Sequence, residues 1–293
     1  MRPVWLRVFL LPACVMLVSC VERPADETPE AASLDFQQYP VNELRTFLRG
    51  ARGAWQHTTD EARGVAPPPQ QLELPPDSLV YDFPPAENFT AYDMTLFETM
   101  ARRRSVRSFS SDALSMKQLG FLLWSAQGVT ASLRFGDEPK VYLRTSPSAG
   151  ALYPMETFVF VRNVDNLEAG LYRYLPLSHQ LLVVRIGEEV LDELVDAHFG
   201  SEMIREAAVV LALATVPYRT EWRYAHLSHR MIAMEAGHIL QNVLLAAVAI
   251  DAGACAVAAY HQDALDTLLG FDGEDAFAMY LAAIGFPGDD ASP

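Results

Sequence analysis

Four arginines fall within six positions of this chain, at Arg102, Arg103, Arg104 and Arg107, and Ser105 lies between them. Guanidinium groups offer paired N–H donors that match the oxygens of a phosphate, and the serine adds a hydroxyl. The run therefore predicts a site for a compact, doubly charged anion such as the phosphate of a mononucleotide. The alternative is a solvated helix end whose arginines pair with the chain's own carboxylates.

A second candidate feature is the segment Pro147-Ser148-Ala149-Gly150. Small residues and a glycine let the backbone of a tight turn approach a ligand closely. The same residue types are typical of an ordinary turn before a strand, so both interpretations stay open.

Arg223 and Tyr224 are adjacent polar residues that follow Trp222. Arginine stays protonated, so it can orient a substrate or stabilise negative charge but cannot act as a base. The tyrosine hydroxyl can donate a proton or a hydrogen bond. The alternative is surface packing of both side chains around Trp222.

Polar residues also recur along a later apolar segment, where Glu235, His238 and Asn242 share one helical face. We expect a satisfied buried polar network, because a di-iron bundle needs a second Glu-x-x-His motif. His226 and His229 lack enough neighbouring ligands to complete a zinc site, so no metal is predicted.

The composition of the chain limits the classes of function that it can have. The chain has 293 residues, 51% of them hydrophobic, which is ample for one large domain. The net charge is −15, and this argues against binding of nucleic acid or anionic lipid headgroups. Cys255 is predicted to be a buried, inert thiol.

Residues 1–20 have the layout of a signal peptide. Arg2 and Arg7 precede the apolar run 8–18, which is shorter than the ~20 residues of a membrane-spanning helix. The ending at Cys20 resembles a bacterial lipobox, which predicts lipidation of that cysteine and a membrane contact through the lipid alone. Val21 favours the outer membrane, with the protein facing the periplasm. Ordinary secretion and an uncleaved anchor are the alternatives.

The chain is predicted to have three parts: the signal at 1–20, a Pro-rich tether and wrapping extension with a short helical segment at 21–89, and a folded domain at 90–288. Apolar periodicity predicts helices near residues 90–104, 112–127 and 231–250, and strands at 156–162, 207–216, 254–260 and 280–284.

Five short motifs occur in a fixed order: Arg104-Ser-x-Arg-x-Phe109, Thr145-x-Pro-Ser-Ala-Gly-Ala-Leu-Tyr-Pro154, Gly170-Leu-Tyr-x-Tyr174, Glu235-Ala-Gly-His-x-x-Gln-Asn242 and Gly285-Phe-Pro287. On this ordered set the chain resembles the nitroreductase-like flavoenzymes, in particular the SagB/ThcOx-type dehydrogenase branch, over residues 90–287. The resemblance implies an α+β fold with a central mixed sheet flanked by helices, and a homodimer that holds FMN at its subunit interface.

The resemblance also implies roles for individual residues. The FMN phosphate would lie at Arg103, Arg104, Ser105 and Arg107, and the flavin ring at Pro147, Ser148, Ala149 and Gly150. The backbone at Ala258 and Ala259 would face the reactive flavin nitrogen, although a glycine is usual there in the family. The resemblance makes Arg223 and Tyr224 the candidate reacting pair, because they occupy the position of the family's Lys-Tyr pair. Since arginine cannot act as the base, base-assisted azoline oxidation is less suitable for this chain.

The leading hypothesis is an FMN-dependent oxidoreductase tethered in the bacterial envelope, acting on a small or peptide-derived substrate. The alternative is a flavin-free protein that keeps the fold as a binding or dimerisation module. A maturation enzyme for ribosomal peptides is a third hypothesis, which export from the cytoplasm would contradict.

Overall fold

The computed structural model describes residues 59–134 and 141–288. The predicted signal peptide, the lipidation site at Cys20 and most of the predicted tether lie outside these residues. The described part contains the following helices and strands: β1 Val80–Asp82, α1 Leu96–Arg102, α2 Met116–Gln127, β2 Val129–Leu133, β3 Val141–Arg144, β4 Met155–Val161, β5 Gly170–Leu175, β6 Gln180–Ile186, α3 Glu189–Ala197, α4 Glu202–Glu206, β7 Val209–Thr215, α5 Tyr218–Tyr224, α6 Ser228–Ala249, β8 Gly253–Val257, α7 Gln262–Leu269 and β9 Phe277–Gly285.

The central sheet has the strand order β1-β6-β5-β4-β7-β9-β8, and every neighbouring pair is antiparallel. The prediction of a mixed sheet is therefore wrong. The helical connection through α5 and α6 links β7 to β8, which run in the same direction, but β9 inserts between them and is antiparallel to both. β2 and β3 form a separate antiparallel pair.

Both faces of the sheet are covered, since every residue of β4, β5 and β7 is buried. One face packs against α2 and α6, and the other against α3, α4 and α7. Continuous burial on two sides explains why β7 reads as a nearly continuous apolar run and does not alternate. Cys255 in β8 is buried, which confirms the predicted buried thiol.

Capping residues fix the ends of the helices that flank the site. Ser115 and Gln118 form a capping box, so α2 begins at Met116 and not at residue 112. Thr95 and Glu98 form a capping box at the start of α1.

α6 has 22 residues, which is about 33 Å of helix, and it is part of the core. The stretch Tyr218–Ala249 is long and apolar enough to cross a membrane, but half of its most apolar window is buried inside the protein.

The segment before the compact body runs across its surface. β1 extends the sheet by pairing with β6, and residues 59–73 contact α5, β3, β4 and β5 through hydrogen bonds. We call residues 59–73 the strap. The domain boundary at residue 90 stays a prediction.

Candidate functional site

The arginine run lies against the first residues of β8, an edge strand of the sheet. Ser105 forms a parallel bridge with Ala254, and the Val106 amide donates to the Ala254 carbonyl at 3.1 Å. Gly253 permits this close approach, because a Cβ there would lie 2.6 Å from the Val106 side chain. α1 thus delivers the arginines to the edge of the sheet.

Three of the four guanidinium groups of the run, those of Arg103, Arg104 and Arg107, have no ion-pair partner among the described residues. Arg104 donates to the carbonyl of Arg103 at 2.7 Å, and Arg107 reaches a main-chain carbonyl only at 3.4 Å. Within the described ranges no ion pair involves Arg103, Arg104 or Arg107, whereas the neighbouring Arg102 pairs with Asp251 at 2.9 Å. The geometry therefore favours an anion site over a helix end neutralised by its own carboxylates.

Ala258 and Ala259 follow β8 directly and are exposed. The pairing of β8 with β9 ends at Val257, so the strand is shorter than the sequence predicted. Four residues of strand separate Ala258 from Ala254, or about 13 Å. One edge strand therefore carries the arginine run at one end and an accessible backbone segment at the other, and this suits an elongated anionic ligand such as a mononucleotide.

The turn at Pro147–Gly150 is closely packed. Gly150 has φ +63°, and a Cβ on it would lie 2.6 Å from Arg223 Nη1 and 3.0 Å from the Tyr224 hydroxyl. The Ser148 hydroxyl accepts a hydrogen bond from the Tyr153 amide at 2.9 Å. Ala151 and Tyr153, which follow Gly150 closely, have φ +54° and +49°, and backbone strain of this kind concentrates at functional sites. Glycine is thus required here both by its dihedral angle and by the two side chains beside it.

Arg223 lies between this turn and the strap. Its Nη1 donates to the Gly150 carbonyl at 3.2 Å, and its Nε and Nη2 lie 2.9 and 2.7 Å from Glu61 Oε1. The guanidinium also stacks over Trp222, with 5.3 Å to the ring centroid. The structure therefore brings the predicted reacting pair to the predicted flavin-contacting turn. Glu61 was not among the predicted residues.

A buried ion pair lies next to the residues that follow the turn. Arg219 and Glu156 are each 2% exposed and lie 2.5 Å apart, and Arg219 also donates to the Tyr153 carbonyl at 3.0 Å. Arg144 packs over the Tyr153 ring at 4.4 Å. These residues were missed, although an isolated charge inside an apolar strand, such as Glu156 in β4, indicates a buried partner.

Burial raises the pKa of Tyr153, and it shifts the pKa values of two charged residues in this region. It raises the pKa of Glu235 to about 7, against the opposing effects of Ser148, Arg144 and Arg219. It lowers the pKa of Arg144 to about 10, although the charge of Glu156 acts in the other direction. A carboxyl group that titrates near neutral pH therefore lies beneath the turn.

The prediction that Glu235, His238 and Asn242 form a buried polar network on α6 is wrong. Glu235 is buried with Oε1 lacking a hydrogen bond, whereas His238 is exposed. Asn242 donates to the Ser125 carbonyl at 3.1 Å. The three residues share a face of the helix, but neighbouring elements cover that face only at Glu235 and partly at Asn242. Within the described residues no group of three or more His, Cys, Asp or Glu has the arrangement of a metal site.

The arginine run and the Gly150 contact lie at opposite ends of α6. Arg223 precedes the first residue of α6, and Ala254 follows its last residue. α6 itself is about 33 Å long and runs between these two parts of the chain.

These features define a class of protein: an α+β domain with an antiparallel sheet, an arginine run on its edge strand and a closely packed turn beside an Arg-Tyr pair. The nitroreductase family model matches residues 100–286, and the chain belongs to that family of oxidoreductases, whose members typically bind flavin. The resemblance predicted from the sequence motifs is confirmed.

Two curated proteins illustrate the similarity. A nitroreductase-type protein of Methanocaldococcus jannaschii is 35% identical over 177 residues, which are 60% of this chain and 85% of that protein. The microcin B17-processing protein McbC of Escherichia coli is 33% identical over 116 residues, which are 38% of this chain and 42% of McbC. The second match agrees with the predicted SagB-type branch.

Solved structures share the fold. A nitroreductase-type protein of Ralstonia eutropha aligns with TM-score 0.59 and 24% identity, covering 76% of this chain and 99% of that one. One from Anabaena variabilis gives TM-score 0.58 and 26% identity, covering 73% of this chain. The Escherichia coli microcin synthetase McbBCD complex gives TM-score 0.54 and 21% identity, covering 86% and 84%. This chain spans 42% of the Anabaena protein, as it does of McbC.

Proposed function

We propose that this protein is an FMN-dependent oxidoreductase that works as a homodimer and passes electrons between the flavin and a small or peptide-derived substrate. The observation that carries the proposal is that three arginines of the run beside β8, Arg103, Arg104 and Arg107, form no ion pair with any carboxylate of the described residues. In a chain of net charge −15, these guanidinium groups are available to an external anion.

The residues of the run fit the phosphate of FMN. Arg103, Arg104 and Arg107 supply charge-assisted donors, and Ser105 adds a hydroxyl. Such bonds contribute about 1.5 to 3 kcal/mol each, so they dominate the affinity for the cofactor. The flavin ring would lie toward the exposed backbone of Ala258 and Ala259, where two methyl groups replace the glycine that is usual in the family.

A second copy of the chain would complete the site. Because the Gly150 contact and the arginine run lie at opposite ends of α6, the turn of one subunit would serve the cofactor held by its partner. The exposed apolar side chains of α1, which leads directly into the run, support a covered interface there: Leu96 is 64% exposed, Phe97 80% and Met100 56%. A two-fold dimer would then form two equivalent sites.

Bound FMN would supply the electron transfer itself. Arg223 would orient the substrate or stabilise negative charge, since it stays protonated, and Tyr224 would donate a hydrogen bond beside it. A peptide-derived substrate is supported by the relative McbC, which is named as a microcin-processing protein. Location in the bacterial envelope, through a lipid on Cys20, is proposed from the sequence alone.

The test is a titration of the chain from residue 25 onward with FMN, followed by flavin fluorescence. We expect saturable binding of about one FMN per chain and at least tenfold weaker binding by Arg107→Ala, which is the loss of one charge-assisted contact. Arg185→Ala removes an arginine at a distant strand and serves as the control. Equal affinity of the Arg107→Ala and control variants would refute the phosphate assignment.

The alternative is a flavin-free binding module. It is favoured by the pairing of Arg223 with Glu61, which occupies the guanidinium that a substrate would need. The same titration separates the two functions, because a folded dimer that binds no FMN would support the module.

A further inference from the structure

The strap, which precedes the residues matched by the family model, is fixed to α5 by specific contacts. The Glu61 amide donates to the Trp222 carbonyl at 3.0 Å, and the indole Nε1 returns a bond to the Val65 carbonyl at 2.9 Å. The Tyr218 hydroxyl donates to Asp60 at 2.7 Å. The position of Glu61 is therefore set by the main chain of α5 and not by its own side chain alone.

The other end of the strap satisfies buried charged groups. Arg144 donates to the Gln70 carbonyl at 2.6 Å, and the Leu72 amide donates to Glu156 at 2.7 Å. The Gln70 side chain donates to the Ala151 carbonyl at 2.6 Å. Since unsatisfied buried polar groups are costly, these bonds make the strap an integral part of the fold around the turn.

Arg223 is the point where strap and turn meet. Two of its nitrogens contact one oxygen of Glu61, and the third donates to the Gly150 carbonyl. Burial lowers the pKa of Arg223, but the hydrogen bonds and charges of Glu61 and then Tyr224 outweigh this and raise it above its ordinary value. The guanidinium therefore has an anchoring carboxylate in Glu61, a main-chain target at Gly150 and a further side-chain partner in Tyr224.

We propose that Glu61 is a positioning residue that holds Arg223 against the Gly150 end of the turn and sets the net charge beside the cofactor. The role in cofactor chemistry rests on the proposed function, while the hold on the turn does not. The strap thereby contributes a functional residue from outside the family domain. Without the carboxylate, a long side chain with several rotatable bonds would sample other directions.

Glu61 sets the charge beside the turn as well as the position of Arg223. The Glu61–Arg223 pair is nearly neutral as seen from the turn, so replacing Glu61 by glutamine leaves an uncompensated positive charge there. Positive charge stabilises a flavin that has gained electrons. The reduction potential of bound FMN should therefore become more positive in Glu61→Gln.

The experiment compares four proteins by hydrogen exchange without flavin and by the reduction potential of bound FMN: wild type, Glu61→Gln, Glu61→Asp and Glu73→Gln. Glu73 is an exposed glutamate of the same strap and provides the matched loss of charge. The amides of Ala151 and Tyr153 are hydrogen-bonded within the turn and report its opening. We expect Glu61→Gln to speed their exchange about three- to fivefold, the effect of losing a partly exposed ion pair.

Glu61→Asp keeps the charge and should retain a reduction potential close to that of wild type. In an Arg223→Gln background, Glu61→Gln should have no further effect on exchange, because the two residues act together. Equal exchange in Glu61→Gln and Glu73→Gln would overturn the proposal. If none of the proteins binds FMN, the proposed function fails, but the exchange comparison still decides whether Glu61 positions Arg223.

Discussion

At the level of single residues, Glu235 is an ionisable side chain that is deeply buried. It is 3% exposed, Oε1 has no hydrogen bond, and burial raises its pKa to about 7 from an ordinary 4.5. The folded chain therefore binds the proton more tightly than the unfolded chain. The contribution of Glu235 to stability is fully present below pH 4.5 and is lost as the pH rises toward 7.

The variant Glu235→Gln should abolish this part of the pH dependence. The two pKa values correspond to about 3 kcal/mol between pH 4.5 and 7, so wild type should lose up to that amount relative to the variant as the pH rises. Urea unfolding of both proteins at pH 4.5, 6 and 7.5 measures the difference. If the two unfolding free energies stay parallel over this range, Glu235 does not titrate as described.

Gly150 is a second residue at which the local geometry predicts the effect of a substitution. A Cβ at φ +63° costs about 1 to 2 kcal/mol, and it would also displace Arg223 Nη1 and the Tyr224 hydroxyl. Gly150→Ala should therefore lower stability by about that amount and weaken FMN binding. Gly200→Ala is the control, since Gly200 has φ +71° with open space around it. A loss of FMN affinity equal to that of the control would show that only the dihedral angle matters.

At the level of elements, local signals located the helices and strands, and long-range pairing decided what they form. Ser115 with Gln118 and the apolar run of β7 are visible in the sequence and correspond to elements of the structure. The antiparallel order was not predictable, because the insertion of β9 between β7 and β8 depends on contacts between distant segments. For the same reason the pair of Glu61 with Arg223, 162 positions apart, leaves no mark in any local pattern.

The site was predictable in its parts and not in its arrangement. The arginine run and the Pro147–Gly150 turn were recognised from residue type and spacing, because phosphate binding and close backbone approach restrict residue choice. Arg144, Arg219 and Glu156 form their buried cluster only when β3, β4 and α5 meet. Charge burial of this kind is a property of packing, which sequence spacing does not specify.

At the level of the whole molecule, the exposed apolar face of α1 is one feature of the described residues that a monomer leaves unexplained. Leu96, Phe97 and Met100 lie on the helix that ends at the arginine run. Covering this face with a second copy buries apolar surface that stabilises association at about 25 cal/mol per Å². The same contact would bring a partner's turn near the run, which couples dimerisation to cofactor binding.

Phe97→Glu should therefore weaken both dimerisation and FMN binding. A carboxylate at a covered apolar position is costly to desolvate, so we expect monomers and at least tenfold weaker FMN binding at micromolar protein. Leu79→Glu makes the same change at an exposed residue before β1, at the opposite edge of the sheet, and should leave both unchanged. Sedimentation and FMN titration measure the two effects. A monomeric Phe97→Glu protein that binds FMN with wild-type affinity would mean that one chain forms the complete site, and the turn would then have no role across the interface.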